Sequence, residues 1–89
     1  MKRGEVFDQV RKILQTEFAL DERVVVPDAR LKEDLDIDSL DAVVLAIHLE
    51  QLTGAVVEED RLETIRTVQD IADVVEELLE RERTHIARS

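Results

Sequence analysis

The chain contains no cysteine, and this absence limits its chemistry more than any other feature of its composition. Disulfide bonds and metal sites built from thiolates are excluded, and any thioester chemistry needs a thiol from outside the chain. Aromatic residues are almost as scarce, since Phe7 and Phe18 are the only two. The core must therefore come from Val, Leu, Ile and Ala, a mixture that favours packed helices over a β-sandwich.

Long hydrophobic runs are also missing from the sequence. The N-terminus has no hydrophobic signal region, and the longest uninterrupted apolar run, residues 42–47, is far too short to cross a bilayer. With 89 residues, we expect one domain over residues 1–89, close to the size at which stability becomes marginal. We expect a soluble, cytoplasmic monomer that does not insert into membranes.

Negative charge is concentrated in the middle of the chain. The formal net charge is −10, from 22 acidic and 12 basic residues. Residues 33–63, here called the acidic segment, hold ten acidic residues and one basic residue, Arg61, a net charge of −9. Such a field repels nucleic acid and anionic lipid and favours partners with Lys and Arg patches, although a merely solubilising surface has the same composition.

Apolar residues recur at steps of three and four in three segments, which predicts three long helices. The first covers residues 5–18. The second covers residues 39–53 and ends at Gly54, a residue suited to the left-handed position after a helix. The third begins after Thr67, whose side chain can cap it together with that of Asp70. The residues expected to face inward are Val6, Phe7, Val10, Ile13, Leu14 and Phe18 in the first helix and Val68, Ile71, Ala72, Val75, Leu78 and Leu79 in the third.

A short helix at residues 59–64 completes the predicted elements. The expected fold is all-α, a small four-helix bundle of three long helices and one short one. Residues 19–38 form a long loop between the first two helices, which hydrophobic side chains can pin to the bundle. Those side chains are Val24, Val26, Leu31, Leu35 and Ile37. The last residues, about 81–89, are more basic and are expected to fray.

The second helix carries two apolar stripes, where a surface helix needs one. Ala42, Leu45, Ala46, Leu49 and Leu52 form the first stripe, and Leu40, Val43, Val44 and Ile47 form the second. One stripe must belong to the core. The other is covered by the loop and the short helix, faces a partner as an apolar patch bordered by Asp38, Asp41 and Glu50, or does both in part.

A lone serine, Ser39, lies between carboxylates at the start of this helix, in the sequence DLDIDSLD of residues 34–41. A catalytic serine needs an activating base, and no imidazole is adjacent to this one. His48 lies nine residues away, which is about 13 Å along a helix axis. The serine is therefore predicted to be a group that is acted upon.

Two simpler explanations of the acidic motif are open. The aspartates of residues 34–38 have the alternate spacing of a calcium-binding EF-hand loop, but Ser39 stands where that loop needs Gly and Leu45 where it needs Glu. In the second explanation, Asp38 or Ser39 caps the helix and Asp41 complements its dipole. Capping accounts for neither the second apolar stripe nor the acidic field.

Taken together, these features resemble the acyl carrier proteins over nearly the whole chain. The attachment motif D-S-L of that family is present as Asp38, Ser39 and Leu40, and an apolar helix with acidic residues follows it. The sequence TVQDIADVVEEL, residues 67–78, is similar to the last helix of the family, which opens with T-V-x-D-[IL].

The resemblance implies a carrier and not an enzyme, with 4′-phosphopantetheine attached to Ser39 by a separate, magnesium-dependent phosphopantetheinyl transferase. Acyl groups would be held as thioesters on that arm, in fatty-acid biosynthesis or in a specialised lipid or polyketide pathway. Acyl-transferring and chain-modifying enzymes would dock on the second helix through basic patches. The residues expected to meet them are Asp38, Leu40, Asp41, Val44, Ile47 and Glu50. No catalytic residue and no metal ligand is expected.

Three positions depart from the usual pattern of fatty-acid carriers. Asp36 stands where glycine is usual, although it tolerates unusual backbone angles less well than glycine does. Val44 stands where glutamate is usual and Ile47 where methionine is usual, which makes the docking helix more apolar and less charged. These departures favour a specialised carrier with altered partner preference.

Two other functions remain open. An aminoacyl, peptidyl or D-alanyl carrier would share the bundle and the modified serine, but it usually has a less acidic helix. An unmodified acidic adaptor would bind basic partners through the same helix, with Ser39 serving only as a cap. Modification chemistry separates the adaptor from the carriers.

Overall fold

The computed structural model describes residues 2–88, and its regular elements are four helices joined by loops. They are α1 (Arg3–Phe18), α2 (Ser39–Thr53), α3 (Glu59–Thr64) and α4 (Val68–Arg88). The predicted all-α bundle of three long helices and one short one is therefore confirmed. The predicted bounds of α2 and α3 are correct, whereas α1 begins at Arg3 instead of residue 5, a difference within the usual uncertainty of helix ends.

The core lies where α4 packs against α1 and α2. The fully or almost fully buried side chains of α1 and α2 are Val6, Val10, Leu14, Leu45 and Leu49. The inward face predicted for α4 is buried except for Leu79, which is partly buried at the edge of the core, as are Phe7, Ile13 and Phe18 of α1. Val74, which the helical pattern did not single out, is buried as well. Each large side chain buried here contributes about 1.5–3 kcal/mol of transfer free energy. Because α1 and α2 both pack against α4, the burial of their apolar faces depends on α4.

Reciprocal capping by Thr67 and Asp70 begins α4, as the sequence predicted. The Asp70 amide donates to Thr67 Oγ1 at 3.2 Å, and the Thr67 amide donates to Asp70 Oδ2 at 3.0 Å. The same carboxylate oxygen accepts a hydrogen bond from the Arg66 amide at 3.0 Å. Because these bonds satisfy amides that a helix leaves free, they fix the point at which the chain enters α4.

The α1–α2 loop, residues 19–38, is held to the bundle by some of the predicted side chains but not by all. Leu31, Leu35 and Ile37 are buried, as expected. The prediction is wrong for Val24 and Val26, which are 44% and 40% exposed, whereas Val25 between them is fully buried. The Val24 and Val25 amides donate to the Asp21 and Glu22 carbonyl oxygens, so this stretch is an irregular turn whose burial pattern follows no fixed period.

An antiparallel bridge between Arg30 and Thr67 joins the α1–α2 loop to the start of α4. Its flanking backbone hydrogen bonds run from the Leu31 amide to the Arg66 carbonyl oxygen at 2.9 Å and from the Val68 amide to the Ala29 carbonyl oxygen at 3.1 Å. The bridge lies just before residues that lead into α2. It therefore sets the position of the start of α2 relative to that of α4.

The end of the chain was predicted to fray over residues 81–89. In the structure α4 continues to Arg88, and Ser89 lies outside the described residues. Fraying concerns motion and stays a prediction, as does the single domain over residues 1–89. Among residues 2–88, no helix has both the length and the apolar composition that crossing a membrane requires.

Two helices end at a residue in the left-handed backbone conformation, one an alanine and one a glycine, so the cost of this conformation can be tested at both. Ala19 ends α1 at φ 53°, and Gly54, as predicted, ends α2 at φ 75°. Because a Cβ is unfavourable in this conformation, we expect Ala19→Gly to raise the free energy of unfolding by about 1 kcal/mol and Gly54→Ala to lower it by a similar amount. A shift of that size moves the melting temperature of a domain of this length by about 4–8 °C, which circular dichroism measures.

A Cβ at position 54 would meet no atom within 4 Å, so any loss in Gly54→Ala reports backbone conformation and not a clash. The exposed helical residue Lys12 supplies the control, since Lys12→Ala changes a side chain without changing φ. If Ala19→Gly lowered the melting temperature, the left-handed end of α1 would not be the favoured conformation in solution.

Candidate functional site

Ser39 is the first residue of α2, and its side chain is exposed. The first amides of a helix have no partner within the helix. Those of Ser39 and Leu40 form no hydrogen bond within the part of the chain that the structure describes. The serine hydroxyl therefore lies beside two free donors and the positive end of a helix dipole, an arrangement that suits an anionic group.

Asp38 and Asp41 close the start of α2 by reciprocal capping. The Asp41 amide donates to Asp38 Oδ1 at 2.9 Å, and the Asp38 amide donates to Asp41 Oδ2 at 3.4 Å. The predicted capping is confirmed, with Asp38 as the cap and Ser39 as the residue after it. Each carboxylate thus already binds one amide, and the role of both in partner recognition stays a prediction.

The chain turns into α2 through Asp36, which has a φ of 56°. This left-handed conformation accounts for the glycine that fatty-acid carriers usually have here, and aspartate is one of the few other residues that adopt it. Two residues earlier, Asp34 Oδ2 accepts a hydrogen bond from the Arg30 amide at 2.8 Å, and this bond lowers the pKa of Asp34. Together the turn and this hydrogen bond hold the segment that presents Ser39.

The second apolar stripe of α2 faces solvent. Its members are Leu40, Val43, Val44 and Ile47, exposed by 77%, 53%, 43% and 49%, and we call them the exposed stripe. The alternative in which the loop and α3 cover this stripe is therefore wrong. The first stripe supplies the core, through Leu45, Ala46 and Leu49. Large apolar side chains grouped on the surface of a small protein form a candidate interaction surface, and the role of this one stays a prediction.

Glu50 has a structural role that the sequence did not indicate. Its Oε2 accepts a hydrogen bond from the Val57 amide at 2.9 Å, in a partly buried position. This bond ties the turn after Gly54 back onto α2, where the Gly54 amide also donates to the Glu50 carbonyl oxygen at 2.8 Å. The predicted role of Glu50 in partner recognition stays a prediction.

A surface cleft of about 580 Å³ adjoins Ser39, between the α1–α2 loop, the start of α2 and the α3–α4 connection. Its apolar lining is Leu31, Ile37, Ala42, Leu62 and Ile65. Its charged lining is Arg30, Lys32, Glu33, Asp38, Glu63 and Arg66. The local sequence does not indicate that these three cations lie together, because residues 30–32 and residue 66 meet only through the bridge between the loop and α4.

His48 is not placed to activate Ser39. Its Nε2 lies 3.3 Å from Glu17 Oε2 of α1, and the continuous helix between the serine and the histidine separates them by about 13 Å along its axis. For the EF-hand explanation, the structure gives no support. Among the side chains that the structure describes, those of residue 2 and residues 4–81, no three His, Cys, Asp or Glu are placed to hold a metal ion.

Substitution of Glu50 separates its structural role from a role in docking. Glu50→Ala leaves the Val57 amide without its acceptor, so we expect the free energy of unfolding to fall by about 1–2 kcal/mol. Glu50→Gln keeps a side-chain oxygen that can accept this bond, and we expect a clearly smaller loss. Urea denaturation measures both, with the exposed neighbour substitution Gln51→Ala as control. Equal stability of the Ala and Gln variants would show that the hydrogen bond is unimportant in solution.

The chain matches the family model described as a phosphopantetheine attachment site over residues 8–75. Acyl carrier protein 2 of Ralstonia nicotianae is 42% identical over 79 residues, which cover 89% of this chain and 98% of that protein. The acyl carrier protein of Thermosynechococcus vestitus is 36% identical over 75 residues, or 84% of this chain and 93% of that one. The crystal structure of the acyl carrier protein of Thermotoga maritima aligns with a TM-score of 0.77 at 27% identity, over 91% of this chain and 94% of that chain.

The matched region contains Ser39, the exposed stripe and the capped start of α4. The group that such proteins hold is 4′-phosphopantetheine, and they are carriers and not enzymes. In sequence and in fold, the chain belongs to the acyl carrier protein family.

Proposed function

We propose that the protein carries acyl groups on a 4′-phosphopantetheine arm attached to Oγ of Ser39. The observation that supports this site is the exposed serine at the first position of α2, beside two amides without partners. An attached phosphodiester can accept hydrogen bonds from these amides and lies at the positive end of the helix dipole. When bound, the arm supplies the thiol that this cysteine-free chain lacks, and acyl groups are held on it as thioesters.

The residues around Ser39 fit such a group. The left-handed residue Asp36 lies shortly before α2, and the cap by Asp38 holds the start of α2 in place without using the amides of Ser39 and Leu40. The adjoining cleft leaves room on one side of the serine. The chain's own contribution is therefore to present the hydroxyl to a transferase and afterwards to hold the phosphodiester end of the arm.

The exposed stripe and its acidic border are the proposed docking surface for partner enzymes. Leu40, Val44 and Ile47 offer apolar contact, while Asp38, Asp41 and Glu50 offer carboxylates to basic patches. The proposed partners are a phosphopantetheinyl transferase and acyl-transferring or chain-modifying enzymes of the cytoplasm. Since exposed charge pairs are screened by salt, these complexes should be weak and salt-sensitive, which suits a carrier that must leave each enzyme quickly.

We further infer a specialised pathway in place of general fatty-acid synthesis. Val44 is 43% exposed on the proposed docking surface, where fatty-acid carriers usually have a glutamate. Ile47, also exposed, replaces the usual methionine with a branched and less adaptable side chain. Both changes favour a partner whose contact surface is more apolar and less basic than that of the general enzymes.

Attachment at Ser39 is tested by intact mass after incubation with coenzyme A, magnesium and a broad-specificity phosphopantetheinyl transferase. We expect a gain of one phosphopantetheine on the wild type and none on Ser39→Ala. The matched control is Ser89→Ala, which removes the other serine of the chain and should leave the gain unchanged.

The outcomes separate the candidate functions. No gain on a folded wild type, with an active transferase shown on a second carrier, would favour the unmodified acidic adaptor. A gain followed by loading with amino acids but not with acyl groups would favour an aminoacyl, peptidyl or D-alanyl carrier.

The pathway is tested by turnover of the loaded protein. We expect enzymes encoded beside its gene to use it well and general fatty-acid synthase enzymes to use it poorly. Val44→Glu should raise turnover by the general enzymes about two- to fivefold, because one exposed charge pair contributes about 0.5–1 kcal/mol. Val56→Glu adds the same charge to an exposed valine outside the proposed docking surface and serves as control. Efficient use of the unaltered protein by the general enzymes would show that the proposal of a specialised pathway is wrong.

A further inference from the structure

Few basic residues are close to Ser39 in the sequence, but basic side chains line the same cleft as Ser39 in the folded chain. Between residues 31 and 66 the chain has three basic residues, Lys32, Arg61 and Arg66, against ten acidic ones. Arg61 lies away from the cleft lining and is bonded to Glu77 of α4. The other two both line the cleft beside Ser39. Two of the three cations of a strongly acidic region therefore converge on the proposed attachment site.

The side chains of Lys32 and Arg66 are free to bind an anion. Within residues 2–88, neither side chain takes part in an ion pair or a hydrogen bond. Arg30, the third cation of the cleft, is already engaged, since its Nε lies 3.5 Å from Asp34 Oδ2. Two exposed cations without partners in the lining of one cleft form a site that an anion can neutralise.

We propose that Lys32 and Arg66 bind the phosphodiester of the arm and fold the arm toward the cleft. This inference rests on the proposed attachment at Ser39, because the serine lines the same cleft and its covalent bond keeps the phosphodiester at high effective concentration there. Lys32 and Arg66 are positioning residues, which orient the arm and do not touch the thiol or its acyl group.

The anion that these cations bind is the phosphodiester and not a carboxylate of the acyl cargo. A cargo carboxylate lies at the far end of a flexible arm, so holding it in the cleft requires ordering the whole arm, whereas the phosphodiester is fixed beside the cleft already. Glu33, Asp38 and Glu63 also line the cleft and oppose an anion there. Binding is therefore expected to be weak and strongly dependent on salt.

The experiment compares apo and holo protein by NMR, after intact mass has shown that Ser39 is modified. We expect the Nε–Hε signal of Arg66 and the Nζ signal of Lys32 to shift on modification. The Nε–Hε signal of Arg23, which is exposed elsewhere in the loop, should not shift. The ³¹P signal of the phosphodiester should move with added salt in the wild type. This salt response should be lost in Lys32→Gln/Arg66→Gln and retained in Lys12→Gln/Arg23→Gln, which changes net charge equally outside the cleft.

The failures are distinguishable. An unmodified Ser39 would overturn the proposed function together with this inference. A modified protein whose Arg66 and Lys32 signals stay at their apo positions, and whose ³¹P salt response is the same in both double variants, would overturn the inference alone. A carboxylate of the acyl cargo is the other anion that could bind these cations. Loading the arm with acyl groups that end either in a methyl group or in a carboxylate tests this. If the two side chains responded only to the carboxylated cargo, the phosphodiester assignment would be wrong.

Discussion

The position of Ser39 depends on the antiparallel bridge between Arg30 and Thr67, since it joins the α1–α2 loop to the start of α4. A loop of this length loses much conformational entropy when it is ordered, and side chains without a backbone anchor leave its register open. The bridge sets that register, and the burial of Leu31, Leu35 and Ile37 stabilises it. Because the reciprocal cap of Thr67 and Asp70 fixes the start of α4, the loop is anchored to a rigid point.

Several features of the fold and the site follow from local sequence. The bounds of α2, its glycine end and both capping arrangements depend on residues within a few positions of one another, so local patterns predict them. The spacing of apolar residues in α2 predicts two stripes. Which of the two is buried depends on tertiary packing, so the sequence alone does not decide it. Val25 was missed because irregular backbone has no fixed period, and Lys32 and Arg66 were missed because a long-range bridge brings them together.

With the proposed attachment at Ser39, the start of α2 divides its amides between two kinds of anion. Asp38 binds the amide of Asp41 and stabilises the helix, while the amides of Ser39 and Leu40 stay free for a group attached at the serine. If Ser39 itself were the cap, its hydroxyl would be occupied by the helix and less accessible to a transferase. With Asp38 as the cap, the helix start is stabilised and the hydroxyl of the exposed Ser39 stays accessible.

The acidic residues assigned to docking also stabilise the fold. Asp38 and Asp41 cap α2, and Glu50 holds the turn that follows it, so replacing any of them by alanine removes a negative charge and a hydrogen-bond acceptor at once. Weaker partner binding by such a variant therefore cannot be attributed to charge alone. Amide replacements, which keep an acceptor and remove the charge, separate the two effects. The side chains of Val44 and Ile47 accept no hydrogen bond, and about half of each is exposed, so their substitution tests the proposed docking more directly than substitution of the carboxylates around them.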